Sequence, residues 1–292
     1  MPLAGKDPRY FQISFQLLLL LYGNFWLDWT HAPRYYLIYV AASVFFFLMA
    51  ELAWGVFKKQ IPPLLQRLHA GWPSVVISSL GLCLLLRTHR WEIAVLASGI
   101  TVWSKYLIRF DGRHVFNPSA IGIAATIILT GQAWFSPGQW GSGAMIFFLV
   151  VLTGLTLVSR VHRAGIGLVF LGTFLSLLFA RQRLYLHWPL DFFLHSVSTG
   201  SLLVFSFFMI TDPKTIPDCS LPRIIWAIVV AALAFYLATF RFVQGAPLWA
   251  LVLLQPLVPL LNRIFQGMAF RWKPEVAQTN AHSFLINKTE LS

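Results

Sequence analysis

Apolar residues run along this chain in long unbroken blocks, unlike the one-sided stripes of helices that pack on a soluble core. Ten blocks can be delimited, over residues 11–27, 35–57, 72–86, 91–109, 118–134, 144–159, 164–180, 190–210, 224–240 and 246–261. A helix that is apolar all round needs apolar surroundings on every side. Hydrocarbon about 30 Å thick takes about 20 residues to cross in a straight helix. Several blocks are shorter and are bounded by proline, as expected of broken helices or of segments enclosed by other helices. The pattern predicts an all-α polytopic membrane protein of about ten transmembrane helices.

The same blocks bear on internal organisation. Prolines stand at the start of blocks of matching rank: "GWPS" (71–74) at the third and "HWPL" (187–190) at the eighth, "VFNPSAIG" at the fifth and "VQGAPLWA" (243–250) at the tenth. Two five-helix halves, residues 7–135 and 144–265, fit this ranking, and five crossings per half would make them inverted. Proline is common at helix starts anyway, so a single unrepeated bundle fits as well. Either way residues 1–265 read as one transmembrane domain and residues 266–292 as a short cytoplasmic tail. The gap "FSPGQWGSG" (135–143) reads as a tight hairpin or a dip into the membrane, with Trp134 and Trp140 at headgroup level. No small-residue cleavage site follows the first block, which is expected to be a retained span.

Composition supports the membrane reading. The chain is 58% hydrophobic and holds 12 Trp and 26 Phe, and its mean hydropathy is +0.70. Only 11% of residues are charged, against about 25% in a soluble domain. A net charge of +12 would suggest nucleic acid in a soluble protein, but here the cations sit in short gaps and no basic domain face exists. With the N-terminus inside, sixteen of the 22 Lys and Arg fall in inner gaps. The six in outer gaps are Arg34, Arg87, Arg90, Arg181, Arg183 and Arg241. This bias predicts an inner-membrane, multi-pass protein with both termini cytoplasmic. The bilayer is the expected partner and nucleic acid is not.

Two polar stretches then fall on the same inner side. In "RHVFNPSAIG" (113–122), Asn117 suits an N-cap, Pro118 a first helical residue, and Ser119 adds a hydroxyl. The free amides and positive dipole end of such a helix form an anion site in waiting. Lys105, Arg109 and Arg113 recur every four residues and would make one basic stripe if the fourth helix continued, with His114 beside it. In "MITDPKTIPD" (209–218), Thr211, Asp212 and Pro213 end the eighth block. Lys214 and Thr215 can donate to an anion, and Asp212 can accept from a polyol hydroxyl or pair with Lys214. Against this stands the plain reading of a capped helix, a capped turn and cations that touch lipid headgroups.

Other polar residues inside blocks leave more than one reading open. Glu51 can snorkel or carry a proton or cation, and Asn24, Gln255 and Asp191 are similar. His195, Ser196, Ser198, Thr199 and Ser201 give the eighth block a hydroxyl-rich face that either holds a polar ligand or packs helices closely. Cys83 and Cys219 are the two cysteines, too few for an iron–sulfur cluster carried by this chain alone. There is no GxSxG, no HExxH and no aspartate pair within blocks, so intramembrane hydrolysis lacks support.

These residues resemble a known family. "FNPSAIG" resembles the FNPAM-[IV]-G stretch of the NqrB and RnfD membrane subunits, and "STGSLLVFSFFMITDP" resembles their SGAT-x-x-x-x-FF-x-x-TDP segment. "DPRYFQISFQLLLLLYG" (7–23) is similar to their first span, and "RHVFNPSA" with "SPGQWGSG" looks closest to a divergent UnbU-like branch. The resemblance runs from about residue 7 to about residue 265. It implies ten spans in two inverted halves, bound flavin, and electron transfer coupled to Na⁺ or H⁺ movement, with other redox subunits and quinone as partners. Candidate cofactor contacts, from the two polar stretches, the hydroxyl-rich face and the resemblance together, are Arg113, His114, Asn117, Pro118, Ser119, Thr199, Ser201, Thr211, Asp212, Lys214 and Thr215. The flavin-bearing threonine of the family aligns with Leu202, which has no hydroxyl to esterify. Covalent FMN is therefore not expected, and FMN or riboflavin would be held non-covalently. No catalytic or metal-ligating residue is assigned. Transport of a small polar solute or of flavin, without redox chemistry, is the alternative. Phe207 and Phe208 are candidates to line a ring slot, or plain core residues.

Overall fold

The computed structural model describes residues 7–27, 29, 33–57, 62–136, 165–197, 200–265 and 267. Helices follow the apolar blocks: α1 (Pro8–Phe25), α2 (Pro33–Phe57), α3 (Leu64–Leu85), α4 (Trp91–Leu107), α5 (Pro118–Thr130), α6 (Gly165–Phe179), α7 (Leu190–Val197), α8 (Gly200–Val204), α9 (Ser220–Phe240), α10 (Ala246–Leu254) and α11 (Leu257–Ile264). α6 widens into a π-turn over Ala180–Tyr185, and α8 into another over Phe205–Met209. The expected block at 144–159 lies outside the described residues, as do Trp140 and nearly all of the tail.

Four helical segments are long and apolar enough to cross a bilayer: Pro33–Val56, Leu64–Leu85, Gly165–Tyr185 and Ser220–Phe240. Two bent pairs raise the number to six among the described residues. Leu190–Val197 with Ser201–Met209 bends by 53°, and Ala246–Leu254 with Leu257–Ile264 bends by 48°. α4 and α5 have 17 and 13 residues, and α1 carries Gln12, Gln16 and Asn24 among its leucines. The chain is a multi-pass membrane protein in which part of the apolar sequence is broken or short.

Helix ends follow local chemistry. α1 starts on Pro8 behind Asp7, whose carboxylate accepts from the Arg9 amide at 3.0 Å. α5 starts on Pro118 behind Asn117 and stops at Gly131, whose φ of +61° only glycine takes at little cost. One expectation fails. Pro73 lies inside α3, which begins at Leu64, and does not open a helix. A membrane helix tolerates such a proline when a donor reaches the disturbed turn, and here Arg9 donates to Ala70 O at 2.8 Å. The matched proline ranks that suggested two halves therefore lose a member.

The basic stripe does not form either. α4 ends at Leu107, and an antiparallel ribbon follows, β2 (Arg109–Phe110) with β3 (Arg113–His114). Its turn residues Asp111 and Gly112 have φ of +48° and +78°, the Asp-Gly hairpin signature. Lys105 stays in the helix, Arg109 stacks over Trp54, and Arg113 turns to Asp218. At the opposite end β1 (Leu86–Thr88) pairs with β4 (Ala133–Phe135), and Ser136 donates to Leu85 O. Residues 135 and 136 of the glycine-rich gap thus sit at a small ribbon, and the rest of that gap lies outside the described residues.

α2 packs on α3 and α4, α4 on α5, α1 on α3, and α9 on α6 and α10. Leu82, Ile123, Phe170, Phe207, Val230 and Leu251 are fully buried between them. Glu51 is buried within a polar network: it accepts from Tyr106 OH at 2.6 Å and pairs with Arg67 at 2.9 Å, tying α2 to α4 and α3. Arg87 is buried at the other end, where it donates to Cys83 O at 2.6 Å and lies 5.3 Å from the Trp29 ring.

Candidate functional site

The two polar stretches meet at one end of the bundle, with Asn117 as their junction. Its Oδ1 accepts from the Ala120 amide at 3.1 Å, its Nδ2 donates to Met209 O at 3.4 Å, and its own amide donates to Gln255 Oε1 at 3.0 Å. Gln255 occupies the break between α10 and α11, so one residue ties three interrupted helix ends together. His114 Nε2 lies 3.6 Å from Asp212 Oδ2, an ion-pair distance too long for a hydrogen bond. Asp212 Oδ1 accepts from the Lys214 amide at 3.1 Å, an Asx-type turn. Arg113 grips Asp218 with two bonds of 2.9 and 3.1 Å, and Asn262 of α11 accepts from the Asp218 amide at 2.9 Å.

A crevice opens between α1, α3, α5, the π-turn after α8 and the 211–214 turn. Its volume is about 100 Å³. Its inner half is polar, with Arg9, Gln12, Gln16, Ser74, Ser78, His114, Asn117, Ser119, Asp212 and Lys214 on its walls. Its deep end is apolar, lined by Gly81, Leu84, Leu85, Val204 and Phe208. At about 1.5 Å per residue, the wall from Ser74 to Leu85 is roughly 16 Å long. A second cavity of about 220 Å³ adjoins it on the ribbon side, between Phe110, Arg113, Asp218, Val258 and Asn262. His114 and Lys214 belong to both cavities and form the wall between them.

Most of the residues singled out in the sequence come together here. His114, Asn117, Pro118, Ser119, Thr211, Asp212 and Lys214 all line the crevice. Others do not serve as expected. Arg113 lines the second cavity, but its guanidinium is already held by Asp218. Thr215 is buried, and its hydroxyl reaches Asp212 O at 3.4 Å, which makes it part of the turn. Ser201 is buried away from the described walls of both cavities, and Thr199 lies outside the described residues. Leu202 is packed in the core, Phe208 lines the crevice, and Phe207 is plain core. Sequence reasoning missed Gln12 and Gln16. Their signal was present, two amides four residues apart in an otherwise apolar segment.

Burial pushes the His114 imidazole below its ordinary value, against the pull of Asp212. Burial also opposes the charge on Asp212, but His114 and the amide and ammonium of Lys214 outweigh it and hold that carboxyl low. Burial lowers the Lys214 ammonium, with Asp212 resisting. His114 is thus neutral at pH 7. Because its folded value lies below the ordinary 6.5, the unfolded chain takes up its proton first as pH falls. Stability is expected to drop as pH falls through about 6.5 and below, and His114→Asn should flatten that part of a melting-temperature profile. An identical profile in the variant would contradict this.

Residues 129–271 match the NQR2, RnfD, RnfE family. That stretch, about half of the chain, is similar to this family. Over 88 residues the chain is 35% identical to a subunit of the ion-translocating oxidoreductase complex of Stutzerimonas stutzeri. That stretch covers 29% of this chain and 25% of the relative, so the match spans about a quarter of the relative's length. A likeness to the NQR2, RnfD, RnfE family accords with the many apolar helices.

Proposed function

We infer that the protein is a membrane subunit of an ion-translocating electron-transfer system and that its crevice holds a flavin without a covalent bond. The subunit reading is supported by the family and by the name of the matched relative. The observation that carries the ligand reading is the polarity gradient of the crevice, which runs from Lys214 and Asp212 at the mouth to Leu84, Leu85 and Phe208 at depth. A flavin has the same gradient, with a flat ring at one end and a polyol or phosphate at the other. The crevice suits the ring, Asp212 stands where the ribityl hydroxyls would pass, and the second cavity beyond the His114–Lys214 wall suits the terminal hydroxyl or phosphate. The leucine at 202 fits non-covalent retention. Quinone, partner subunits and the inner membrane with cytoplasmic termini belong to this proposal, as does an arrangement in two inverted halves.

An absorbance spectrum of the protein purified in mild detergent tests it. A flavin band near one per chain is expected. A colourless protein that binds no added FMN or riboflavin, yet moves a polar solute into vesicles, would establish the transport alternative. The phosphate arm makes a sharper expectation. Lys214 Nζ has no carboxylate partner among the described residues, whereas Arg113 is held by Asp218. Lys214→Ala should weaken FMN by about tenfold, or roughly 1.4 kcal/mol, and riboflavin by much less. Arg113→Ala should weaken both alike, because it frees the loop around Asp218 and removes no free cation. Equal losses for Lys214→Ala in a titration of the two flavins would argue that no phosphate sits near it.

A further inference from the structure

Gln12 and Gln16 lie one turn apart on α1, and both face the crevice. Gln16 is 5% exposed, and its Oε1 is fully buried with no hydrogen-bond donor among the described residues. Buried polar side-chain atoms are overwhelmingly paired in folded proteins, so a buried carboxamide oxygen beside a cavity points to a partner that the described residues do not supply. Its place says which part of a ligand it meets. Gln16 lies roughly 12 Å along α1 from Pro8, past the charged mouth. Its neighbour Phe15 stacks on Phe208 at 4.7 Å and 16°, and Phe208 forms the apolar wall of the crevice. The amide therefore stands at the edge of an aromatic-walled slot.

We propose that Gln16 recognises the edge of a cyclic imide, an N–H donor beside a carbonyl acceptor, as on the pyrimidine side of a flavin ring. The proposal rests on the flavin reading above and adds which edge is read and by which residue. A carboxamide carries one acceptor and one NH₂ donor in a plane. An imide edge satisfies both at once, whichever way round the amide stands. An oxidised quinone offers acceptors only and leaves Oε1 bare. A phosphate, from lipid or nucleotide, offers no donor and would be drawn instead to Lys214 at the mouth. The ring is then fixed with its imide toward α1 and its tail toward Asp212 and Lys214.

The test is a cycle between a side chain and a ligand atom. Riboflavin and N3-methylriboflavin, in which the donor is blocked, are titrated against the full chain in detergent by quenching of flavin fluorescence. Wild type is expected to bind the methylated ligand about tenfold more weakly. Gln16→Leu should bind both alike, at about the weaker level, so that the two losses do not add. Gln16→Met, which keeps the length of the side chain, should behave as Gln16→Leu does and guards against a folding defect peculiar to leucine. A benzoquinone should not distinguish wild type from either variant. If either folded variant still prefers riboflavin tenfold, Gln16 is not the reader and the proposal falls, while the flavin site stands. If wild type binds neither flavin, both readings fall.

Discussion

Gly167→Ala is expected to yield little correctly folded protein. A Cβ built at Gly167 falls 2.2 Å from the carbonyl oxygen of Ser206 and 3.3 Å from Thr211 Cγ2. The first of these is backbone, in the π-turn that carries Phe207, Phe208 and Met209, and cannot swing aside as a side chain would. Relief requires α6 and that turn to separate by about an ångström, which undoes packing around Phe170 and Phe205, whose rings lie 5.0 Å apart. Overpacking of this kind costs about 1–3 kcal/mol, occasionally more, and small residues at helix contacts in membranes exist to permit such approach. The cost here should lie at or above the top of that range. Gly172→Ala is the control, because nothing lies within 4 Å of its Cβ. Thermal stability and the monodisperse fraction in detergent decide the matter. Parity between the two variants would mean that α6 does not lie against the turn.

Asn117→Ala should produce the second large effect, and on two readouts together. The variant loses the acceptor for the Ala120 amide and the donor to Met209 O, and it leaves the first of these buried. A lost N-cap costs about 1 kcal/mol and an unpaired buried amide about 1–3 kcal/mol more. Because Asn117 joins the start of α5 to the end of the α8 π-turn, flavin affinity should fall with stability. Asn117→Asp separates the two roles: it keeps the cap on Ala120 and removes the donor to Met209. It should retain most of the stability and still weaken binding. Full affinity in a destabilised Asn117→Ala protein would show that the crevice does not depend on this junction.

How the chain is punctuated was legible where chemistry is local. Asn117-Pro118 and Ala246-Pro247 open helices at the block starts. The end of α4 was legible in principle as well, since Asp111-Gly112 is a strong hairpin signal, but the spacing of Lys105, Arg109 and Arg113 fits a helical period equally well. Pro73 shows the opposite case. Its local preference is against the middle of a helix, and a donor from α1 reaches the turn that it disturbs.

The order of residues alone determined that this is a bundle of membrane helices, that Asn117 and Asp212 mark interrupted ends, and that Leu202 offers no oxygen for an ester. Each follows from burial, capping or bonding capacity within a few residues of chain. Only the tertiary structure decided that Arg113 is taken by Asp218, that Asn117 is spanned by Met209 and Gln255, and that Gln16 lines the crevice with its Oε1 unpaired among the described residues. Those outcomes depend on partners 92 to 138 residues away or, for Gln16, on the lack of one among the described residues. Hydrogen bonds and charges act over a few ångströms of space, whatever the separation along the chain, and no local rule can say which distant group will arrive.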